Sequence, residues 1–347
     1  MHGVTIPGYI VYRMKWTQTV IATPAGPKGA IAPLVISASR ATDIPAFHAR
    51  WFMDRLRAGH CLWQNPFNAR QRQYVSFDQC AAIVFWSKDP SPLLPYLAEI
   101  EARGYAFYFQ YTLNDYEREG LEPHVPSLDR RIATFQELSG RFGKHRVIWR
   151  HDPILIGNRL SVAVILERLH RVAELLAPHT EKLVFSFLDM YRKMALRLAK
   201  QAPGYRAPDA EEMNELAEGI ARMNVGLQTP LRLATCAETV DLLHLGIEHN
   251  RCIDPALLLR LCPENAELAR ICGATARKEQ GSLLQEVPAG LAPVKDRGQR
   301  AACGCAPSKD IGRYNTCPHL CVYCYANGSQ AEVERGLRAA RGESESR

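Results

Sequence analysis

Five of the chain's eleven cysteines fall between Cys303 and Cys324. They run as Cys303-Gly-Cys305, then Cys317-x3-Cys321-x2-Cys324. Thiolates are soft ligands that select zinc, copper(I) and iron–sulfur clusters. Three of them in one tight loop can hold three irons of a [4Fe-4S] cube and leave the fourth without a protein ligand. An open iron suits a small molecule that binds the cluster directly, and S-adenosylmethionine can chelate it through its amino and carboxylate groups. Reduction would then cleave the sulfonium, with the cofactor supplying the chemistry and the protein the placement. Two other chemistries use the same residue types. Cys321 and Cys324 with Cys303 and Cys305 could supply four thiolates to a structural zinc ion. Cys303 or Cys305 could instead close a four-cysteine cluster for electron transfer.

A Cys-x-Cys pair needs two more thiolates for a closed site. Cys236 and Cys252 are the best-placed partners for Cys303 and Cys305, giving a candidate second metal site, auxiliary cluster or zinc. Cys61, Cys80, Cys262 and Cys272 read as small buried residues. His319 lies within the loop and is left out of the ligand set, because the three cysteines already account for the cluster.

The elements that must position these residues follow a strand–helix alternation. Short β-branched or aromatic runs occur at 34–38, 81–86, 105–112, 146–151, 181–187 and 230–235. Such near-continuous apolar runs suit strands buried on both faces of a parallel sheet. Between them, Ser127 is placed to cap a helix that Gly143 stops. Ser161 opens a helix with Val162, Ile165, Leu169, Val172 and Leu176 on one face. Asp209 and Glu212 form a capping-box pattern ahead of Met213, Leu216, Ile220 and Met223. The series predicts an α/β fold, a partial or circularly permuted (β/α) TIM-type barrel ending in the cysteine-rich cluster loop. Residues 1–33 read as a poorly ordered extension, 34–275 as the βα repeat region and 276–302 as a connector. Residues 303–330 form the loop that completes the barrel, and 331–347 a terminal helix and tail.

Polar residues follow nearly every strand run: Arg40, Thr42 and Asp43; Lys88 and Asp89; Thr112, Asn114 and Asp115; Arg150, His151 and Asp152; Ser186 and Asp189; Thr235, Cys236 and Glu238. A barrel would gather them around one mouth. There Arg40 and Arg150 are candidates to pair a carboxylate, and Thr112, Asn114 and Ser186 to address ribose hydroxyls. Tyr325, His151 and Asp152 are candidates for proton or hydrogen-atom handling. For each, a structural ion pair or a helix cap is an equal alternative.

Composition sets the outer limits. With 347 residues, 47% of them hydrophobic, the chain can bury a core without disulfides. An odd cysteine count, no signal-peptide pattern and no apolar run long enough to span a bilayer predict a cytoplasmic protein with no membrane partner. The net charge of +7 permits a nucleic-acid ligand without requiring one. No Gly-rich phosphate loop or G-x-S-x-G elbow is present, so dinucleotide and α/β-hydrolase chemistry lack support.

The triad with Tyr323 immediately before its last cysteine resembles the cluster motif of the radical S-adenosylmethionine superfamily. Its surroundings, NTCPHLCVYCYAN (315–327), and the stretch 111–157 are similar to spore photoproduct lyase-like members. In those proteins the motif follows the first barrel strand. Here it comes last, which implies a circular permutation with 310–341 supplying the first unit. From about 34 to 327 the chain also resembles an uncharacterised bacterial family, domain of unknown function 1848, through SASRATDIPAF, NPFN, VFWSKDP, TCAE, RCID, CGC and the cysteine loop. The resemblance implies a radical S-adenosylmethionine enzyme that abstracts hydrogen from a small-molecule or nucleic-acid substrate. It also implies an electron donor such as flavodoxin or ferredoxin. The alternatives are a zinc-stabilised binding protein and a non-catalytic electron carrier.

Overall fold

The structure, a computed structural model, describes residues 16–273 and 303–345 apart from 67, 237 and 239. Strands β1 (Thr17–Ile21) and β2 (Lys28–Ala32) form an antiparallel hairpin. β3 (Val35–Ala38) begins the main sheet and leads into α1 (Ile44–Phe47) and α2 (Ala49–Arg57). A second hairpin, β4 (His60–Asn65) with β5 (Asn68–Ser76), joins the first through parallel pairing of β2 with β5. The result is a small sheet in the order β1-β2-β5-β4. The expected extension over 1–33 therefore needs correcting. Residues 17–32 are regularly paired, while 1–15 lie outside the described residues. These strands lack the apolar alternation that marks a buried face, since β1 is largely exposed and β2 is buried only at Ala30–Ala32.

The main sheet continues through β6 (Ala82–Ser87), α3 (Leu97–Ala102), β7 (Ala106–Thr112), α4 (Leu128–Phe142), β8 (Val147–Ile154) and α5 (Val162–Leu176). Then come β9 (Lys182–Phe187), α6 (Arg192–Gln201), α7 (Ala210–Gly226), β10 (Arg232–Thr235) and β11 (Ile247–His249). Alternate residues of each strand enter two separate cores. Ile36, Ile83, Phe85, Phe107, Phe109, Trp149, Leu183 and Phe185 pack with the helices of the repeat region. Val35, Ala82, Val84, Tyr108, Ile148 and Val184 pack on the other face, against α8 (Pro255–Leu261), α9 (Ala266–Ile271) and residues around Cys305. Two-sided burial is why the strands read as continuous apolar runs. The caps at Ser161 and Asp209 form as the sequence predicts, the second as a full capping box. Ser127 makes no cap bond; Glu117 Oε1 accepts the Leu128 N–H instead.

Every pairing in the main sheet is parallel, in the order β11-β10-β9-β8-β7-β6-β3-β12. β12 (Lys309–Asp310), from the far end of the chain, thus stands beside β3, and α10 (Gln330–Glu345) follows it. The α/β class and parallel sheet agree with expectation. Closure into a barrel is not shown: among the described residues no pairing joins β11 to β12. The connector expected over 276–302 lies outside the described residues. Among those described, no helix is long and apolar enough to cross a membrane.

A two-residue strand cannot hold an edge by backbone pairing alone, and Asp310 adds a clasp. Its carboxylate accepts from Ser37 Oγ (2.8 Å), Ser39 Oγ (2.6 Å), the Arg40 N–H (2.8 Å) and the Gly312 N–H (2.9 Å). Gly312 sits so close that a Cβ there would meet Ser39 Oγ. Asp310→Ala strands two buried serine hydroxyls and is expected to cost about 1–3 kcal/mol. Amide exchange at Ile311, which donates to Ser37 O (3.1 Å), should accelerate. Unchanged exchange there would show the clasp to be dispensable.

Candidate metal-cluster site

The loop after β12 is cross-tied within itself and bonded to the β7–α4 connection and to α6. Val322 N–H donates to Leu121 O (2.9 Å), Cys324 N–H to Cys321 O (3.0 Å) and Asn315 N–H to Ala326 O (3.2 Å). Asn327 Nδ2 donates to Cys317 O (2.8 Å) and Arg197 Nη1 to Cys324 O (2.9 Å). Leu320, just before Cys321, takes φ 53°, a left-handed conformation rare for leucine that tightens the turn between the first two cysteines. The three thiols lie near enough that Cys317 and Cys321 each sense Cys324, and Cys321 also senses Cys317. Burial pushes Cys317 up to about 12 and Cys321 well up, with Lys88 opposing it at Cys321. Metal binding here would release these protons.

His319 is buried within the loop, with Nε2 2.9 Å from Asp43 Oδ2 and Nδ1 3.2 Å from His124 O. Asp43 also accepts from Ala46 N–H, Ser87 Oγ and Lys88 N–H. It is therefore a structural hub that joins the loop to the ends of β3 and β6.

A buried charge network supports the other side of the loop. Glu122 accepts from Lys88 Nζ (2.7 Å), Asn114 Nδ2 (3.0 Å) and Tyr323 Oη. Arg131 Nη1 stands 3.6 Å from its second oxygen, an ionic contact beyond hydrogen-bonding distance. Burial alone would raise the Glu122 carboxyl, but Lys88 and Arg131 outweigh it and hold it down at about 2. Asn114, expected to address ribose, has its amide committed: Nδ2 also approaches Asp152 O and Tyr323 Oη, and Oδ1 accepts the Asp152 N–H.

The other expected residues divide between the two sheet faces. His151 contacts Tyr116 at 5.9 Å between ring centroids, and burial pushes it down to about 4, so it is neutral near pH 7. Arg150 points to the second face, donating to Gln110 Oε1 (3.2 Å), Cys252 Sγ (3.2 Å) and the Asp152 carboxylate. Ser186 Oγ also donates to Asp152. Burial raises Asp152, but Arg150 and the Ser186 hydroxyl outweigh it and leave it low. Thr112 sits opposite Arg150 in the register. Arg40 lies at the exposed edge, with Nη2 on Ser308 Oγ (3.1 Å) and its guanidinium 5.5 Å from the Trp86 ring centre. Arg150 faces the same ring at 5.3 Å. Tyr325, half exposed, donates to Arg40 O (2.6 Å), linking the loop to this edge.

Cys236 and Cys252 bring their sulfurs to 3.2 Å, and Cys305 is within thiol hydrogen-bonding reach of both Cys252 and Cys303. The fold thus groups Cys303 and Cys305 with Cys236 and Cys252, on the second face. Cys321 and Cys324 pack with the first-face core. Cys61 and Cys80 also belong to the first core, Cys262 and Cys272 to the second.

Among the described residues, no three His, Cys, Asp or Glu side chains form a ready-made ligand set for one metal ion. A cube makes a different demand from a single ion, one thiolate per iron. Buried polar atoms without partners also surround both cysteine groups: Thr42 Oγ1, Trp86 Nε1, Asn250 Oδ1 and Asn327 Oδ1. Sequence reasoning missed Glu122, Arg131, Trp86 and Asp310. The first two are ordinary helix-and-loop charges until the fold brings Lys88 to them, and nothing in their spacing marks them.

No curated protein and no solved structure matches the chain. The family model described as Domain of unknown function (DUF1848) matches residues 35–326, nearly the whole of the main sheet and cysteine loop, and the chain belongs to that family.

Proposed function

We propose that the protein is a radical S-adenosylmethionine-type enzyme, with Cys317, Cys321 and Cys324 holding a [4Fe-4S] cluster. The observation that carries this reading is the loop itself: three neighbouring thiols directly after a parallel strand, anchored at the C-terminal ends of β3 and β6. That is the end of the sheet where βα enzymes place their chemistry. The place of β12 at the head of the strand order agrees with a permuted, barrel-like ancestry. When bound, the cluster would supply one electron to cleave S-adenosylmethionine.

The chain's own residues bind, orient and exclude water. Arg40 is the better partner for a carboxylate, because Arg150 is already spent on Asp152, Gln110 and Cys252. Thr112 remains for a ribose hydroxyl, whereas Ser186 and Asn114 hold Asp152 in place. Lys88 offsets negative charge beside Cys321. The substrate is a molecule with an abstractable hydrogen, small or nucleic-acid derived, and flavodoxin or ferredoxin would deliver the electron.

Anaerobically purified protein should be brown, and with dithionite should convert S-adenosylmethionine to methionine and 5′-deoxyadenosine, taking up one electron and one hydrogen atom. A colourless zinc protein would end the proposal. A brown protein that makes no 5′-deoxyadenosine would leave the electron-carrier reading in its place.

A further inference from the structure

We infer that Cys236, Cys252, Cys303 and Cys305 hold a second thiolate-ligated metal centre, distinct from the loop triad. Three separate parts of the chain deliver these residues: the end of β10, the segment after β11, and the stretch before β12. Buried cysteines often serve as small packing residues, but here four from these segments form one continuous run of sulfur contacts.

The surroundings suit thiolates. Cys252 Sγ accepts from Arg150 Nη1 and Asn250 Nδ2, both at 3.2 Å. Cys305 Sγ accepts the Cys252 N–H (3.1 Å) and the Ile253 N–H (3.3 Å). A neutral thiol is a weak acceptor, so four N–H donors on two sulfurs match metal-bound thiolate far better. Charge agrees as well. Four thiolates around a zinc ion, or around a cube whose core carries two positive charges, leave a net charge of minus two. Arg150, which donates to Cys252 Sγ while also pairing with Asp152, places a cation directly beside it.

The sulfurs presently form a contact row, Cys236 to Cys252 to Cys305 to Cys303. Their 3.2 Å approach at Cys236 and Cys252 lies inside the spacing of about 3.8 Å set by tetrahedral metal–sulfur bonds of about 2.3 Å. Rotation that lengthens this contact to about 3.8 Å would match metal–sulfur geometry at this pair.

The test separates this centre from the proposed cluster. The full chain with Cys317, Cys321 and Cys324 all changed to alanine would be purified anaerobically and assayed for zinc, iron and acid-labile sulfide. About one zinc per chain, or iron with matching sulfide, supports the inference and says which metal is used. Adding Cys252→Ser should then remove most of that metal. A metal-free triple variant, metal undiminished by Cys252→Ser, or a Cys236–Cys252 disulfide in its place would overturn it. Should the variants fail to fold, the unaltered protein answers through native alkylation read by mass spectrometry. The four cysteines should resist iodoacetamide until a chelator is added; labelling that a chelator does not change would overturn the inference.

Discussion

Glu122→Gln is expected to destabilise the folded protein by about 3–5 kcal/mol, the cost of leaving buried cations without their counter-ion. Lys88 and Arg131 both face this carboxylate, and Arg131 is almost wholly buried. Tyr323 and Asn114 would also have to re-pair with an amide. The effect has a pH signature. The Glu122 carboxyl is held at about 2, below its ordinary value of 4.5. Its stabilisation is therefore fully present above about pH 4.5 and is lost as pH falls from there through about 2. Denaturant unfolding of both proteins should show the widest gap near pH 7 and a narrowing gap below pH 4.5. Equal stability at pH 7 would mean that the network is not what fixes the loop. Because Tyr323 lies next to Cys324, the variant should also bind metal at the triad less firmly than the unaltered chain.

Cys321→Ala should abolish the colour that the triad confers and all reductive cleavage of S-adenosylmethionine, because a cube with one thiolate missing has lost its central anchor. Cys321 is the most deeply set of the three, buried in the first core. Cys61→Ala is the matched control: an equally buried cysteine in the same core, but remote in role, paired into the β4–β5 hairpin. It should lose some stability and keep both iron and activity. Iron content at the unaltered level in Cys321→Ala, measured alongside far-UV circular dichroism to confirm folding, would refute the ligand assignment.

The strands of the main sheet were legible because their signal is local: each is a short apolar run buried on both faces, as with Phe107, Tyr108 and Phe109. The capping box at Asp209 and Glu212 was legible for the same reason, since both partners sit three residues apart. The small sheet was not, because β1 and the start of β2 stand in solvent and carry no pattern of burial. Within the site, cysteine spacing pointed to the triad, and Cys236 and Cys252, named as partners for the Cys-x-Cys pair, lie beside it in the fold. The roles of Asn114 and Arg150 could not be read that way. Each sits at a strand end, as a ligand-binding residue would, but the partners that occupy it come from elsewhere in the fold: Glu122 and Tyr323 for one, Gln110 and Cys252 for the other.

The clasp between Asp310 and the serines of β3 joins residues more than 270 positions apart. On the ribosome, β3 is among the first parts of the main sheet to emerge and β12 among the last. Throughout synthesis the β3 edge therefore stands open, an unpaired strand of the kind that invites wrong partners. Only the segment around β12 closes it, and the same segment carries the triad. If the triad holds the proposed cluster, its ligands reach the sheet only after β3 to β11 have been made.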